Sequence, residues 1–261
     1  MVLRVIRIDE VRVRFPVSPQ MQNKLEPIYK MVSNSIQKAG KPIFAVFDFD
    51  NTCITNDITE VTLAYLAANN LFRDKNLINI ETENYSKAVL ERYYQMPGEG
   101  KLKESYEFIA KILSGFSTSE IDSLVAEVLT FTGKNIKPRE EVIELINFLK
   151  KNGVDVWVVS ASPELLVRQA MKHFNIEANL IGVRNIIVDG KITDELEKPL
   201  SIYEGKIDCI KKYISQDKKP LISVGDSIND LPMLECCEIK VVVDRQNELA
   251  KEAKKNNWFL I

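Results

Sequence analysis

From residue 42 onward the chain alternates short apolar runs with amphipathic stretches. Runs at 43–47, 154–159, 221–224 and 239–243 each end on polar turn residues, as strands buried on both faces of a parallel sheet do. Between and after them, residues 140–151, 163–174, 205–214 and 246–256 place apolar side chains every three or four positions, which predicts helices. Strand and helix in alternation predict an α/β fold, a doubly wound, Rossmann-like parallel sheet. Residues 58–134 break the alternation. Helical spacing in 85–94, 102–113 and 119–129, punctuated by Pro97-Gly98 and Ser114-Gly115, predicts an all-helical cap inserted after the first strand. Asp189-Gly190, between residues 186–188 and Ile192, predicts a short hairpin.

The first 41 residues differ in character. Val11, Val13 and Phe15 alternate with Arg12 and Arg14, which predicts a half-exposed strand ending at Pro16. A helix over 19–39 follows, stopped by Gly40 and Pro42. Eight basic residues against three acidic ones make this segment basic and leave the rest of the chain acidic. The expected organisation is an N-terminal strand-helix extension (1–41), an α/β core (42–57 and 135–261) and a helical cap (58–134). The extension is expected to serve structure or a contact between copies in a homo-oligomer.

Composition narrows the chemistry. The chain has 261 residues, 45% of them hydrophobic, which is ample for a buried core. Its one histidine, His173, argues against Ser-His-Asp hydrolysis and histidine-rich metal centres. A net charge of −2 argues against a nucleic-acid partner. Cys53, Cys209, Cys236 and Cys237 have no C-x-x-C spacing and are expected to be reduced thiols. No apolar run suits a secretion signal, and none approaches the roughly 20 residues of a membrane span. A cytoplasmic protein without membrane contact is expected.

The remaining chemistry rests on carboxylates. Asp48-Phe49-Asp50-Asn51-Thr52 stands where the first apolar run ends, the edge at which open α/β sheets bind ligands. Asp48 and Asp50, two apart, are expected to face one site, where their repulsion calls for a cation or a proton. Mg²⁺, which prefers oxygen ligands, suits that pair. A second acidic stretch, Gly225-Asp226-Ser227-Ile228-Asn229-Asp230, ends the third run. Asp226 and Asp230, four apart, are expected on one helical face, although an Asp at such a turn also serves as an ordinary cap. Ser160-Ala161-Ser162-Pro163 offers hydroxyl and N–H groups to an anion, or else a turn residue and an N-cap. Lys206 opens a helix against the macrodipole, a placement that an anion would offset and that an exposed surface lysine would also explain.

In this order, these four stretches resemble the motifs of the haloacid dehalogenase superfamily, in its phosphoserine-phosphatase-like branch with a helical cap. The resemblance runs from about Pro42 to the C-terminus. It implies that Asp48 is the nucleophile that forms an aspartyl-phosphate, and that Asp50 is the acid-base group. It further implies Mg²⁺ held by Asp48, Asp50 through its backbone carbonyl, Asp226 and Asp230. Ser160, Ala161 and Lys206 would bind the phosphoryl group, with Thr52 and Asn229 beside them. Asp50 favours phosphate ester over halide, because an alkoxide leaving group needs a proton and a halide does not.

The same resemblance places Asp57, nine residues after the nucleophile, against a substrate amine. Arg92 is a candidate for gripping a substrate carboxylate. Ser160-Ala161 departs from the branch's usual Ser-Gly. The expected function is Mg²⁺-dependent hydrolysis of a small, amine-bearing phosphometabolite such as phosphoserine. Tyr85, Tyr93, Tyr94, Tyr106, Phe108 and Phe116 either pack the cap or, near Asp57, surround a quaternary ammonium. The second case favours phosphocholine or phosphoethanolamine. A phosphotransferase shares these motifs, and a non-catalytic phosphoester-binding protein is the reading from a different class.

Overall fold

The computed structural model describes residues 19–38, 43–80 and 82–261. The predicted strand over 11–15 lies outside them. Six parallel strands form one sheet in the order β3-β2-β1-β6-β7-β8. They are β1 (Phe44–Phe47), β2 (Asp155–Pro163), β3 (Asn179–Val183), β6 (Ile222–Gly225), β7 (Ile239–Val242) and β8 (Phe259–Leu260). The four predicted apolar runs became β1, β2, β6 and β7. β1 and β6 are buried along their whole length, as central strands covered on both faces must be. The edge strands β3 and β8 were not predicted, because β8 has two residues and β3 has only five, running from exposed to buried with no period.

Helices α1 (Pro19–Lys38), α6 (Glu140–Lys151), α7 (Glu164–His173), α8 (Gly205–Tyr213), α9 (Leu231–Glu235) and α10 (Glu248–Lys255) flank the sheet. Leu25, Ile28 and Val32 are fully buried on one face of α1, and Tyr29 stacks on Phe148 of α6 at 4.1 Å. The helix of the extension thus spends its apolar face inside its own chain. All four cysteines are free thiols. Among the described residues, no helix is long and apolar enough to cross a membrane.

Between β1 and α6 the chain makes α2 (Ile58–Ala68), α3 (Tyr85–Gln95), α4 (Leu102–Ala110) and α5 (Ile121–Phe131), with single 3₁₀ turns joining α3 to α4, α4 to α5 and α5 to α6. Leu63, Leu66, Val125 and Val128 of this insertion are buried in the same apolar cluster as Phe47, Val142 and Leu166. The hairpin appears as β4 (Asn185–Val188) and β5 (Lys191–Leu196), turning at Asp189 and Gly190, both at positive φ. It is tied to the insertion by Gly115 N to Ile192 O and Ile192 N to Phe116 O, both 2.8 Å.

Candidate active site

The strand order reverses between β1 and β6, the switch point where doubly wound sheets open a crevice at their carboxyl ends. Asp48 stands at that point. Its N–H donates to Val224 O at 2.9 Å, extending the ladder one residue past β1. The chain then loops back through Asn51 and Asn56, both at positive φ, which asparagine tolerates. Asn51 N donates to Asn56 O at 3.0 Å, and Arg139 Nε donates to Asn51 O at 3.0 Å. This closed loop sets Asp50 beneath the start of α2. Its Oδ1 accepts from Ile58 N at 2.7 Å and its Oδ2 from Ser162 Oγ at 2.7 Å. Burial first, then the charges of Asp57 and Asp48, push the Asp50 carboxyl well above its usual range. A carboxyl raised in this way holds its proton to higher pH and is suited to donate it.

Opposite this loop lies a buried ion cluster. Lys206, fully buried in the first turn of α8, donates to Asp48 Oδ1 at 2.8 Å and to Asp230 Oδ1 at 2.6 Å. Burial pulls its ammonium downward, but Asp230 and Asp48 outweigh that and leave it raised and charged. The surface-lysine explanation therefore fails, and two carboxylates offset the helix dipole that opposes a cation here. Asp230 is aimed by the backbone, since its Oδ2 accepts from Asp226 N at 3.0 Å and Ser227 N at 3.1 Å. Gly225 is obligatory for this contact, because a Cβ there would lie 2.5 Å from the Asp230 Cβ.

Asp48, Asp226 and Asp230 each offer an oxygen within 4.8 Å of the others, and all three residues are buried. Burial first, and then Asp230, push Asp226 up to about 6 despite its bonds to Arg245 and Thr52. Burial and the neighbouring Asp230 likewise raise Asp48, against the pull of Lys206. Together the three crowded carboxylates form an all-oxygen donor set that fits a hard divalent cation such as Mg²⁺.

Most residues named from sequence meet here, some by other means than expected. Thr52 Oγ1 donates to Asp226 Oδ1 at 3.0 Å. Asn229 Oδ1 accepts from Tyr203 N at 2.7 Å, fixing the loop before α8. Ser160 is fully buried at the end of β2, with its Oγ 3.5 Å from Asp50 Oδ2, and Ala161 is buried beside it. Asp226 and Asp230 do not share a helical face: a tight turn and one 3₁₀ turn, residues 226–230, bring them together. The Asp50 carboxyl is absent from the three-acid cluster because it is bonded to Ile58 N and Ser162. Asp57 caps α2, its Oδ1 accepting from Thr59 N and Glu60 N at 2.8 and 2.9 Å. Arg92 is drawn to Glu99 at 2.7 Å.

Ser162, read from sequence either in an anion site or as an N-cap, gives its hydroxyl to Asp50. Three residues with site contacts escaped the sequence reading. Arg245 Nη1 donates to Asp226 Oδ2 and Asn247 Nδ2 to Asp226 O, both at 2.7 Å, from the loop after β7. Glu60 accepts from Tyr93 OH at 2.7 Å. Nothing in the local sequence marks Arg245, Asn247 or Glu60, because their partners lie 19 to 33 positions away.

The haloacid dehalogenase-like hydrolase family matches residues 45–235, a span that contains every one of these acids. The chain belongs to this family. Among the family's hydrolases, a phosphorylcholine phosphatase of Pseudomonas aeruginosa is 30% identical over 243 residues, covering 72% of this chain and 69% of that protein. A histidinol-phosphatase of Neisseria meningitidis serogroup C is 28% identical over 225 residues, covering 82% of this chain and 96% of that protein. A phosphoserine phosphatase solved as a phospho-aspartyl intermediate analogue shares the fold with a TM-score of 0.54 and 22% identity, over 85% of this chain and 93% of that one. The chain is a phosphoric monoester hydrolase of the haloacid dehalogenase-like family.

Proposed function

We propose that this protein is a Mg²⁺-dependent phosphatase that passes the phosphoryl group through Asp48 to water. The observation that carries this is the position of Asp48 at the switch point, bonded to Lys206 and grouped with Asp226 and Asp230. Asp48, Asp226, Asp230 and the backbone carbonyl of Asp50 would hold the ion, which when bound supplies positive charge against the transferring phosphoryl oxygens.

The chain's own groups do the rest. Asp48 attacks phosphorus, forming an aspartyl-phosphate as the ester oxygen leaves with a proton from Asp50. Asp50 then takes a proton from water, which attacks phosphorus and frees Asp48. Ser162 and Ile58 N orient Asp50 for both steps. Lys206 has three N–H donors, and Asp48 and Asp230 use two, which leaves one for a phosphoryl oxygen. Ser160 and Ala161, at the end of β2, complete the phosphoryl site.

The substrate is a small phosphomonoester whose alcohol bears an amine. Phosphorylcholine and histidinol phosphate, the substrates in the two relatives' names, both fit that description. Residues 58–134 act as the cap over the alcohol, and the protein works in the cytoplasm. Phosphate release from a panel of amine-bearing monoesters, with Mg²⁺ and with chelator, tests this. The expected result is release that needs Mg²⁺ and falls by about 10³-fold or more in Asp48→Asn. Undiminished release from that variant would overturn the mechanism.

A further inference from the structure

The alcohol end of the substrate must lie beside the phosphoryl site, where α2, α3 and α4 meet the loop before α8. Four tyrosines and two acids belong to this region. Tyr106, on α4, lies within electrostatic reach of Asp230 and Lys206 on the chemical side and of Asp57 on the other. Its ring meets that of Tyr203 edge-on, with centroids 5.9 Å apart. Tyr203 holds a left-handed backbone conformation, φ 50, that bulky residues rarely adopt, and the bond from its N–H to Asn229 keeps it there. On α3, Tyr93 and Tyr94 also meet edge-on at 5.1 Å, and both feel the charges of Glu60 and Asp57.

Among the described residues, the charged side chains acting on Tyr93, Tyr94 and Tyr106 are Asp57, Glu60, Asp230 and Lys206. That ammonium is held between Asp48 and Asp230. Arg92, which precedes Tyr93, is turned to Glu99. A substrate carboxylate would therefore face Asp57 and Glu60 with Arg92 already paired to Glu99, whereas a substrate cation meets two anions and several π faces. The acids are also partly committed. Asp57 Oδ1 already accepts two backbone N–H groups and Glu60 Oε1 accepts the Tyr93 hydroxyl. Their remaining oxygens still counter a cation, and the several π faces suit a head group with no N–H to give.

Resting on the phosphatase reading, we infer that the specific substrate is the phosphate ester of a quaternary ammonium alcohol. Its head would lie among Tyr93, Tyr106 and Tyr203, with Glu60 and Asp57 as counter-charges. Tyr93, Tyr106 and Glu60 are then specificity-determining residues for the alcohol.

The test compares kcat/KM for phosphocholine, phosphoserine and p-nitrophenyl phosphate, with Mg²⁺, in the wild type and in Tyr106→Leu, Tyr93→Phe and Glu60→Gln. The wild type is expected to prefer phosphocholine to phosphoserine by about 10-fold or more. Tyr106→Leu and Glu60→Gln should narrow that ratio through KM for phosphocholine rather than through kcat. Tyr93→Phe keeps the π face and should retain most of the preference. A wild type that takes phosphoserine equally well or better overturns the inference without any variant having to fold. Substitutions that weaken both esters in the same proportion overturn it too. Failure to hydrolyse any of the three esters would instead bring down the phosphatase reading itself.

Discussion

Asp226 shows how much depends on a single side chain's partners. Thr52 binds one of its oxygens and Arg245 the other. Among the described residues, Arg245 and Lys206 are the cations bonded to the three-acid cluster, and Arg245 is half-exposed while Lys206 is fully buried. Removing it leaves the carboxylates with less counter-charge and a greater need for a metal. Arg245→Gln should therefore melt at a lower temperature than the wild type in chelator and gain more on addition of Mg²⁺. Melting curves of both proteins with EDTA and with Mg²⁺ check this, and equal gains would contradict it. Asp48, Asp50, Asp226, Asp230 and Lys206 were legible from sequence because each follows an apolar run or opens a helix. Arg245 was not, since only the parallel pairing of β7 beside β6 brings its loop to Asp226.

Among the elements, α1 belongs to the extension expected to serve structure or a contact between copies. Its apolar face is closed by α6, with Leu25, Ile28 and Val32 fully buried. Ile28→Ala should cost about 2–5 kcal/mol of stability, the usual range for emptying a well-packed core site. Chemical denaturation would measure the loss, and kcat of the folded fraction should stay as it was, because α1 lies apart from the acids. A loss under about 0.5 kcal/mol, the scale of ordinary surface changes, would mean that α1 does not belong to the core. The insertion's helices were foreseen from their spacing. The backbone bonds joining residues 115–116 to the hairpin were not, since each strand-like piece is too short to carry a period of its own.

Across the whole molecule, the inserted helices and the sheet share one apolar cluster. Leu63 of α2 and Val125 of α5 are buried with Leu166 of α7 and Phe47 of β1. A cap built this way has no separate core with which to fold alone. Calorimetry should therefore show a single transition, with calorimetric and van't Hoff enthalpies equal within about 10–20%. Two resolved transitions would show that the cap is an independent unit. The division into extension, core and cap is thus a division of the chain, and the packing runs across it.

Apolar periodicity sufficed for the parallel sheet and its helices, because a strand buried on both faces and a helix buried on one leave patterns in consecutive residues. The acidic motifs were readable for the same reason, each being a short string at the end of such a strand. The partners of those acids were not readable. Ser162 under Asp50, Arg245 on Asp226 and Tyr203 against Tyr106 are contacts between segments far apart in the chain, with no local pattern to announce them. Folding chose them through strand order and loop closure, and with them the surroundings that raise the Asp50 carboxyl and set Lys206 against Asp48.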